Sequence, residues 1–322
     1  MMISREELRD SARKGLGSDG LMPPADQSWE RLVEMGWFAM AVPEDHGGLG
    51  LGPEALAAVH IELGRALVPG PAIAQMLAID VLCSVPDFAA RDELLGAAIG
   101  GQRLGLSLAL HQAGTLTCVP DADQASQMLV LGPDRIALAD IASASQNATW
   151  DETRRLFDVE IAGQTVIANG ADAHDAYIRA LSRLLLALSA DAVGGADAVL
   201  DMSIEYLKTR RQFDRPLALF QALKHRVADM KIAVVAAEAL LWSRTGDAVS
   251  LHDLAALKAL ATTSFCRVAE EAVQLHGGIG LTVEHPCHRF LKRAYLNAAL
   301  GGDADHWNGF AGRVALGQQK SN

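Results

Sequence analysis

The sequence predicts a mainly α-helical protein with a small β domain in its middle: an N-terminal helical domain, a reduced β domain and a C-terminal four-helix bundle. Three observations lead to this prediction. Apolar residues recur at helical spacing in the first hundred residues, short apolar runs separated by turn residues begin near Leu104, and helical spacing returns from Ala176. The expected domain boundaries are 1–102, 103–173 and 174–322.

The N-terminal domain is expected to consist of helices joined by short turns. One amphipathic stretch ends at Gly36, and a second runs from Pro53 to Leu67, with proline at its start and aliphatic residues at helical spacing. The segment Ala41–Gly52 between them is rich in glycine and proline. Those residues break helices, so a turn-rich loop is predicted there.

The middle of the chain is predicted to form short strands, because its apolar runs are brief and are bounded by Gly, Asp, Pro and Asn. The runs are Leu104–Leu110, Gln127–Leu131, Arg135–Ala139, Leu156–Ile161 and Thr165–Ile167.

After Ala176 the strand signals vanish and long helices are predicted, with glycines where C-terminal stops belong. They are Ile178–Lys208, Leu219–Thr245, Ser250–Leu275 and His285–Leu300. Four antiparallel helices of this length would form a bundle. Gly194 and Gly195 are expected to weaken the first helix. The segment Leu254–Ala261 is apolar nearly all round, which predicts a place at the centre of the bundle or at a subunit interface.

The composition excludes several classes of protein. Half of the 322 residues are hydrophobic and 21% are charged, which argues against disorder and favours an oligomer. The 28 Lys and Arg against 39 Asp and Glu give a net charge of −11, so nucleic acid is an unsuitable partner. No apolar run is long enough to span a membrane, and the N-terminus lacks the apolar core of a signal peptide.

The cysteines are consistent with a reducing compartment. Cys83, Cys118, Cys266 and Cys287 lie far apart and form no CxxC pair. We therefore expect free thiols and a cytoplasmic protein.

The segment Thr209–Pro216, with Phe220 and Gln221 after it, admits two interpretations. Adjacent arginines at the end of a helix interact favourably with the negative end of the helix dipole, which needs no ligand. Alternatively Arg210 binds a phosphate, because a guanidinium group matches two phosphate oxygens, with Phe213 and Gln221 nearby.

The segment Glu270–Glu284 contains a helix end followed by glycines. Such glycines let backbone N–H groups approach a ligand, although they also simply stop helices. No strand precedes them, which excludes a Rossmann dinucleotide site. The next residues, His285, Cys287 and His288, lack an evident fourth ligand, so no metal site is predicted. Cys287 also lacks any sign of a positioned base, so it is not expected to be a nucleophile.

Together these segments resemble the acyl-CoA dehydrogenase family, and the resemblance covers most of the chain. The family's N-terminal loop is matched by Gly36–Gly50. Its C-terminal signatures are matched, in order and spacing, by Arg210–Phe213, Phe220–Gln221, Gln274–Gly280 and Thr282–Pro286. The resemblance implies the same three-part architecture and FAD as the cofactor.

The resemblance also implies which residues bind the cofactor. In this family the bundle dimerises, and each subunit contacts the adenosine pyrophosphate end of the FAD in its neighbour. Carried over by position, the cofactor-binding residues are Arg210, Phe213, Gln221, Gln274, Leu275, His276, Gly277 and Gly278. A dianionic pyrophosphate needs a fixed cation and oriented N–H donors, and this set offers both.

The sequence departs from the family at the catalytic base. Family members usually carry a Glu, followed by Gly and Thr, after the last bundle helix, and Lys292–Asp303 places Gly301 at that position. Other members carry the Glu on the first bundle helix, where Leu181–Ala187 has no carboxylate. A base must accept the α proton of the substrate, and neither Gly nor Leu can do so. The family motifs that hold the flavin ring and acyl-CoA are also absent between Leu104 and Ala173.

The chain therefore resembles the smaller, non-catalytic subunit of heteromeric acyl-CoA dehydrogenases, the kind that acts on steroid side chains in actinobacteria. A larger sister subunit would then supply the base and the acyl-CoA pocket of a heterotetramer, and the product would be a 2-enoyl-CoA. Two alternatives stay open at this stage. The chain could be independently active with Asp303 or Asp305 as a displaced base, or it could be a non-enzymatic helical assembly subunit.

Overall fold

The computed structural model describes residues 4–17, 20–109, 116–246 and 249–317. Its described residues are mostly helical with one small sheet, which confirms the predicted fold class. Among them, five helices precede the sheet: α1 (Arg5–Gly17), α2 (Ala25–Glu34), α3 (Pro53–Arg65), α4 (Ala72–Ser84) and α5 (Arg91–Ile99).

The sheet has five strands in the order β1-β3-β4-β5-β2, in which β1 pairs with β3 in parallel and the other neighbours are antiparallel. The strands are β1 (Gly105–Leu106), β2 (Val119–Pro120), β3 (Gln127–Leu131), β4 (Arg135–Gln146) and β5 (Leu156–Asn169).

Strand β3 has the predicted bounds, whereas the other strand predictions are partly wrong. The run from Leu104 yields only two strand residues, and its last residue, 110, lies outside the described residues. The runs at 156–161 and 165–167 form one strand, because β4 and β5 continue to pair across register shifts that absorb the polar residues between them.

The C-terminal half contains α6 (Gly170–Thr209), a short hairpin of β6 (Arg211–Gln212) and β7 (Arg215–Pro216), then α7 (Gln221–Ser243), α8 (Leu251–His276), α9 (Cys287–Ala299) and α10 (Ala304–Ala315). The sequence analysis missed the hairpin and α10. The hairpin has only two residues a strand, too few to show an alternating pattern.

Gly194 and Gly195 do not interrupt α6, contrary to expectation. A Cβ atom at Gly194 would overlap the backbone carbonyl of Ile61 on α3, and one at Gly195 would overlap the ring of Phe265 on α8. These glycines therefore allow α6 to approach its neighbours closely, which recovers in packing what they lose in helix propensity.

Helix α8 occupies the centre of the bundle, as its all-round apolar segment predicts. It packs against α6, α7, α9 and α10. Lys258 interrupts that segment and is fully buried. Its ammonium group donates hydrogen bonds to the carbonyl oxygens of Gly302 at 2.9 Å and Ala298 at 3.3 Å, which satisfies the C-terminal end of α9.

Candidate functional site

The C-terminal ends of α6 and α8 meet at one end of the bundle. Tyr206, in the last turn of α6, donates a hydrogen bond from its hydroxyl to the carbonyl of His276 at 3.3 Å, and the two rings stack with centroids 4.4 Å apart. Arg210 follows directly after α6 as its C-terminal cap. Tyr206, which the sequence analysis did not single out, therefore joins the last turn of α6, which Arg210 follows, to the end of α8.

The start of α7 lies at the same end. Arg226 on α7 pairs with Glu271 on α8, close in sequence to Gln221 and Gln274 respectively. Gln221 is the first residue of α7, and Gln274 lies in the last turn of α8. Three of the predicted cofactor residues thus come from three different helices that this ion pair and Tyr206 bring together.

The polar side chains at this end are available for a ligand. Arg210, Gln221 and Gln274 are exposed, and their side chains form no hydrogen bond or ion pair within the described parts of the chain. Both interpretations of Arg210 stay open, because it caps the C-terminal end of α6 and its side chain has no hydrogen bond or ion pair among the described residues. A free guanidinium group flanked by amides suits phosphate oxygens.

Phe213 sits at the tip of the β6–β7 hairpin in a strained conformation. Its φ is +51° and that of Asp214 is +60°, a left-handed region that bulky residues rarely adopt. Phe213 is 84% exposed and makes an edge contact with the ring of Phe220, with the ring centroids 6.1 Å apart, so little packing inside the described chain repays that strain. Strain held at an exposed position is typical of residues that contact a ligand or a partner.

The glycines after α8 leave open space above the backbone. Gly277 has φ +64° and ψ −145°, which favours glycine, and no atom lies within 4 Å of a Cβ built at Gly277 or Gly278. The side chains of Leu275 and His276 are buried instead. Within the predicted segment, a ligand can therefore approach Gly277 and Gly278 but not the side chains of Leu275 and His276.

The residue at the position of the family's usual base, Gly301, follows α9 and faces α6. It is buried with φ +65°, and a Cβ there would lie 3.0 Å from Leu188 Cδ1 and 3.3 Å from Leu184 Cδ2. Gly301 therefore adjoins the stretch Leu181–Ala187, where other family members carry the Glu. The three described atoms nearest to that Cβ all belong to leucine side chains.

The cleft beside Leu184 is narrow. It has a free volume of about 30 Å³, which is room for about one or two water molecules. Its described lining is almost wholly apolar, with Ser107 and the half-buried Tyr177 as the polar members. In the observed conformation the described residues therefore enclose little free space beside Leu184.

Asp303 and Asp305 are placed at the start of α10. The carboxylate of Asp303 accepts the backbone N–H of His306 at 2.8 Å and caps the helix. Asp305 is exposed in the first turn. Both residues thus have an ordinary role at a helix N-terminus, where negative charge is favourable.

A buried charged network lies behind Gly301 and was not predicted. Arg154 donates to Asp191 at 2.8 Å, and Asn297 donates to the same carboxylate at 2.6 Å. Arg293 donates to the carbonyl of Val68 at 2.7 Å. Burial alone would raise the pKa of Asp191, but Arg154 and Arg293 outweigh it and lower that pKa. The network joins the β region to α6 and α9 and fixes this end of the bundle.

A third cluster contains two of the residues considered above as metal ligands. His276, His285 and Cys287 place one potential ligand atom each within 4.8 Å of one another. The sequence analysis had considered His288, whereas the structure brings in His276 from the end of α8. Burial raises the pKa of Cys287 to about 12, so this thiol is not a ready nucleophile.

Comparison with known proteins identifies the family. Two family models match: acyl-CoA dehydrogenase, N-terminal domain, over residues 3–102, and acyl-CoA dehydrogenase, C-terminal domain, over residues 176–309. Acyl-CoA dehydrogenase IpdE2 of Mycolicibacterium smegmatis is 34% identical over 301 residues, covering 93% of this chain and 89% of the relative. The chain belongs to the acyl-CoA dehydrogenase family.

Other members support this assignment. Acyl-CoA dehydrogenase IpdE2 of Mycobacterium tuberculosis is 35% identical over 302 residues, which is 85% of this chain and 82% of the relative. The solved steroid ACAD Tcur3481-Tcur3483 has a TM-score of 0.86 at 25% identity, over 97% of this chain and 98% of that chain. The ChsE4-ChsE5 complex from Mycobacterium tuberculosis shares the fold, with a TM-score of 0.85 at 23% identity and full coverage of both chains (100% each).

Acyl-CoA dehydrogenases are FAD flavoproteins, which agrees with the cofactor expected from the sequence. The residues at the end of the bundle fit part of this group. Among the described residues the Arg210 side chain has no hydrogen bond or ion pair, and the space around Gly277 and Gly278 is open, although the Gly277 N–H already donates to carbonyl groups of α8. Among the described residues, no helix is long and apolar enough to cross a membrane.

Proposed function

We propose that this chain is the non-catalytic subunit of a heteromeric, FAD-dependent acyl-CoA dehydrogenase. It binds the pyrophosphate end of an FAD that a larger sister subunit holds, and it supplies no catalytic base. One observation carries the proposal: the phosphate-binding end is polar, exposed and unpartnered, whereas Gly301, at the position of the family's base, is enclosed by Leu184 and Leu188.

The distance between the two regions supports a role in a neighbour's site. Leu184 and Arg210 lie on or next to the same helix, and 210 − 184 = 26 residues separate them. At 1.5 Å per residue this is about 39 Å. The residues near Arg210 therefore bind a cofactor whose reacting end lies away from Gly301, the position of the family's base in this chain.

An apolar surface on α7 supports a protein partner. Met230, Val234 and Ala237 of this helix are buried in the bundle, while Ile232 and Val235 are 67% and 49% exposed on another side. Exposed large apolar residues at helical spacing suit a subunit interface. Further large apolar side chains are exposed on the hairpin and after α8: Phe213, Leu219, Leu281 and Val283.

In the proposed mechanism this chain binds and orients, and the sister performs the proton transfer. FAD would supply the acceptor for the hydride that leaves the β carbon, while a base of the sister would take the α proton, so that an acyl-CoA becomes a 2-enoyl-CoA. Arg210 would hold the pyrophosphate through its guanidinium group, and the backbone N–H of Gly278 would be a further donor, since that of Gly277 already bonds to α8. Gln221 and Gln274 supply amide donors beside them.

We further propose a heterotetramer that acts on a CoA ester of a steroid side chain. The support comes from the names of similar proteins, which include a steroid ACAD and a two-protein ChsE4-ChsE5 complex. The narrow cleft beside Leu184 is consistent with a substrate pocket that lies mainly in the sister.

The test compares two neighbouring arginines in the assembled heteromer. R210A removes a charge-assisted contact worth about 1.5–3 kcal/mol, so FAD binding should weaken roughly tenfold to a hundredfold. R211A is the matched control, because Arg211 is also exposed but its guanidinium already donates to the carbonyl of Asp214 at 2.8 Å. Flavin retained per heteromer after gel filtration is the measurement. Equal flavin in R210A, R211A and the parent, or no flavin in any of them, contradicts the proposal.

A further inference from the structure

We propose that His276, His285 and Cys287 form a binding site for a thiophilic divalent cation, with Zn²⁺ as the best match. The site lies next to Gln274–Gly278, the proposed phosphate-binding segment. Two imidazoles and one thiolate are a common zinc ligand set, and water would complete a tetrahedral site. The inference concerns this chain alone and does not depend on the proposed function.

The turn after α8 brings these residues together. Gly277 reverses the chain with its positive φ, a short 3-10 helix covers Gly277–Leu281, and Cys287 then begins α9. As a result His276 and His285 lie with ring centroids 4.4 Å apart, although nine positions separate them in sequence. The three residues do not have the sequence spacing of a common zinc-binding motif, so the sequence alone does not predict this arrangement.

His276 is oriented as a metal ligand would be. Its Nδ1 donates to the carbonyl of Ala272 at 2.7 Å, which leaves Nε2 as the atom with a free lone pair. That Nε2 is buried and has no hydrogen-bond partner, and the residue is only 3% exposed. A carbonyl that accepts from one imidazole nitrogen while the other faces a metal is the usual outer-shell arrangement of metal-binding histidines.

Cys287 and His285 complete the site. The thiol is fully buried at the first residue of α9, and a bound metal would be what favours its deprotonation. His285 is half-buried, and its Nδ1 accepts the N–H of Cys287 over a long 3.3 Å. A bond of that length is weak, so the ring can turn toward a metal at little cost.

The separations are close to those of an occupied site. Zn–N distances of about 2.0 Å and Zn–S distances of about 2.3 Å put tetrahedral ligand atoms about 3.5 Å apart. The ligand atoms lie within 4.8 Å of one another, so side-chain rotation must close a gap of at most about 1.3 Å. On binding, the Cys287 sulfur forms a bond to the metal and releases its proton to solvent.

A metal here would hold the phosphate-binding segment from behind. His276 immediately precedes Gly277 and Gly278, and no atom lies within 4 Å of a Cβ built at either glycine. Fixing the imidazole therefore fixes the point from which this backbone segment starts. The site would act on the cofactor by positioning the backbone and not by contact.

The test uses the full chain without a polyhistidine tag, after chelator treatment and dialysis. We expect one equivalent of Zn²⁺ to bind, and Co²⁺ alone to give a thiolate-to-metal charge-transfer band with visible d–d bands. C287S should lose the charge-transfer band. The control is C266S, which changes a different cysteine, partly buried on α8. This variant should keep the band.

H285N provides a second variant, because this partly exposed residue tolerates replacement better than a core position. It should weaken Zn²⁺ binding at least tenfold, whereas H288N should leave it unchanged. Zn²⁺ should also slow hydrogen exchange in 274–281. Failure of the parent chain to bind Zn²⁺ stoichiometrically, an unchanged Co²⁺ spectrum in C287S, or unchanged affinity in H285N would each overturn the proposal.

Discussion

Two regions of the long helix α6 differ in polarity, exposure and packing. Near its C-terminal end, Arg210, Gln221 and Gln274 are exposed and form no side-chain hydrogen bond or ion pair among the described residues, and the space around Gly277 and Gly278 is open. Near Leu184 the side chains are apolar and packed, and the glycine at position 301 is enclosed by two leucines. Free polar groups indicate a ligand from outside the chain, whereas close packing indicates a site that has been filled.

The difference shows how one half of a shared site can persist without the other. The two regions are about 39 Å apart along a rigid helix, so the packing at one does not constrain the side chains at the other. Loss of a carboxylate at Gly301 therefore leaves Arg210 and the Gln274–Gly278 segment unaffected. The following experiments test that independence, beginning with the largest expected effect.

Breaking the buried network should damage the packed end first. D191A leaves Arg154 and Arg293 buried without their common carboxylate, so we expect a loss of about 3–5 kcal/mol in the free energy of unfolding. Denaturant unfolding measures it. S203A on the same helix is the control, because the Ser203 hydroxyl bonds only to the backbone of its own helix. A loss below 1 kcal/mol in D191A would mean that the network does not hold this end.

The same network gives an acid-dependent term. The pKa of Asp191 is lowered in the folded chain, so its contribution is present above the ordinary aspartate value of about 3.9 and is lost as pH falls through the lower folded value. In the acid interval below about pH 3.9, stability should therefore fall in the parent chain, and less steeply in D191N. Equal slopes in this interval would refute the assignment.

Restoring a carboxylate at the family position should destabilise the chain without giving activity. In G301E the new side chain meets Leu188 and needs a φ of +65°, so we expect a loss of about 1–2 kcal/mol in unfolding free energy and no dehydrogenase turnover. G312A on α10 is the control, because its position is open and helical. Turnover by G301E alone would show that this chain retains a complete active site.

The smallest effect is expected at the start of α10. D303A removes the cap of that helix and should cost about 1 kcal/mol, whereas D303N keeps an acceptor and should cost less. Turnover of the heteromer should be unchanged in both variants. A loss of turnover in D303N, with stability preserved, would instead identify Asp303 as a displaced base.

Much of the fold could be predicted from local pattern. The helical periodicity of the bundle and the brief apolar runs of the sheet depend on neighbouring residues, and they predicted the fold class and the bounds of β3. The continuity of α6 through Gly194 could not, because it depends on contact with Ile61, which lies far away in sequence. The division into three domains stays a prediction.

In the candidate site too, features that depend on local motifs were predicted, and features that depend on contacts between distant segments were not. Arg210, Gln221 and Gln274 were predicted from motifs, and their freedom from partners became visible only in three dimensions. The contact of Tyr206 with His276 and the closeness of His276 to Cys287 were not predicted, because each depends on a turn that joins separate segments. The burial of His276 could not be inferred either, because its motif places it between residues that are predicted to bind the cofactor.

The flavin content of the chain with and without its sister subunit tests the central claim most directly. Purified alone, the chain should show little absorbance in the visible flavin bands and no dehydrogenase turnover. Co-expressed with the sister, it should co-purify with FAD bound and with activity restored. A chain that binds a full equivalent of FAD and oxidises an acyl-CoA by itself would contradict the account.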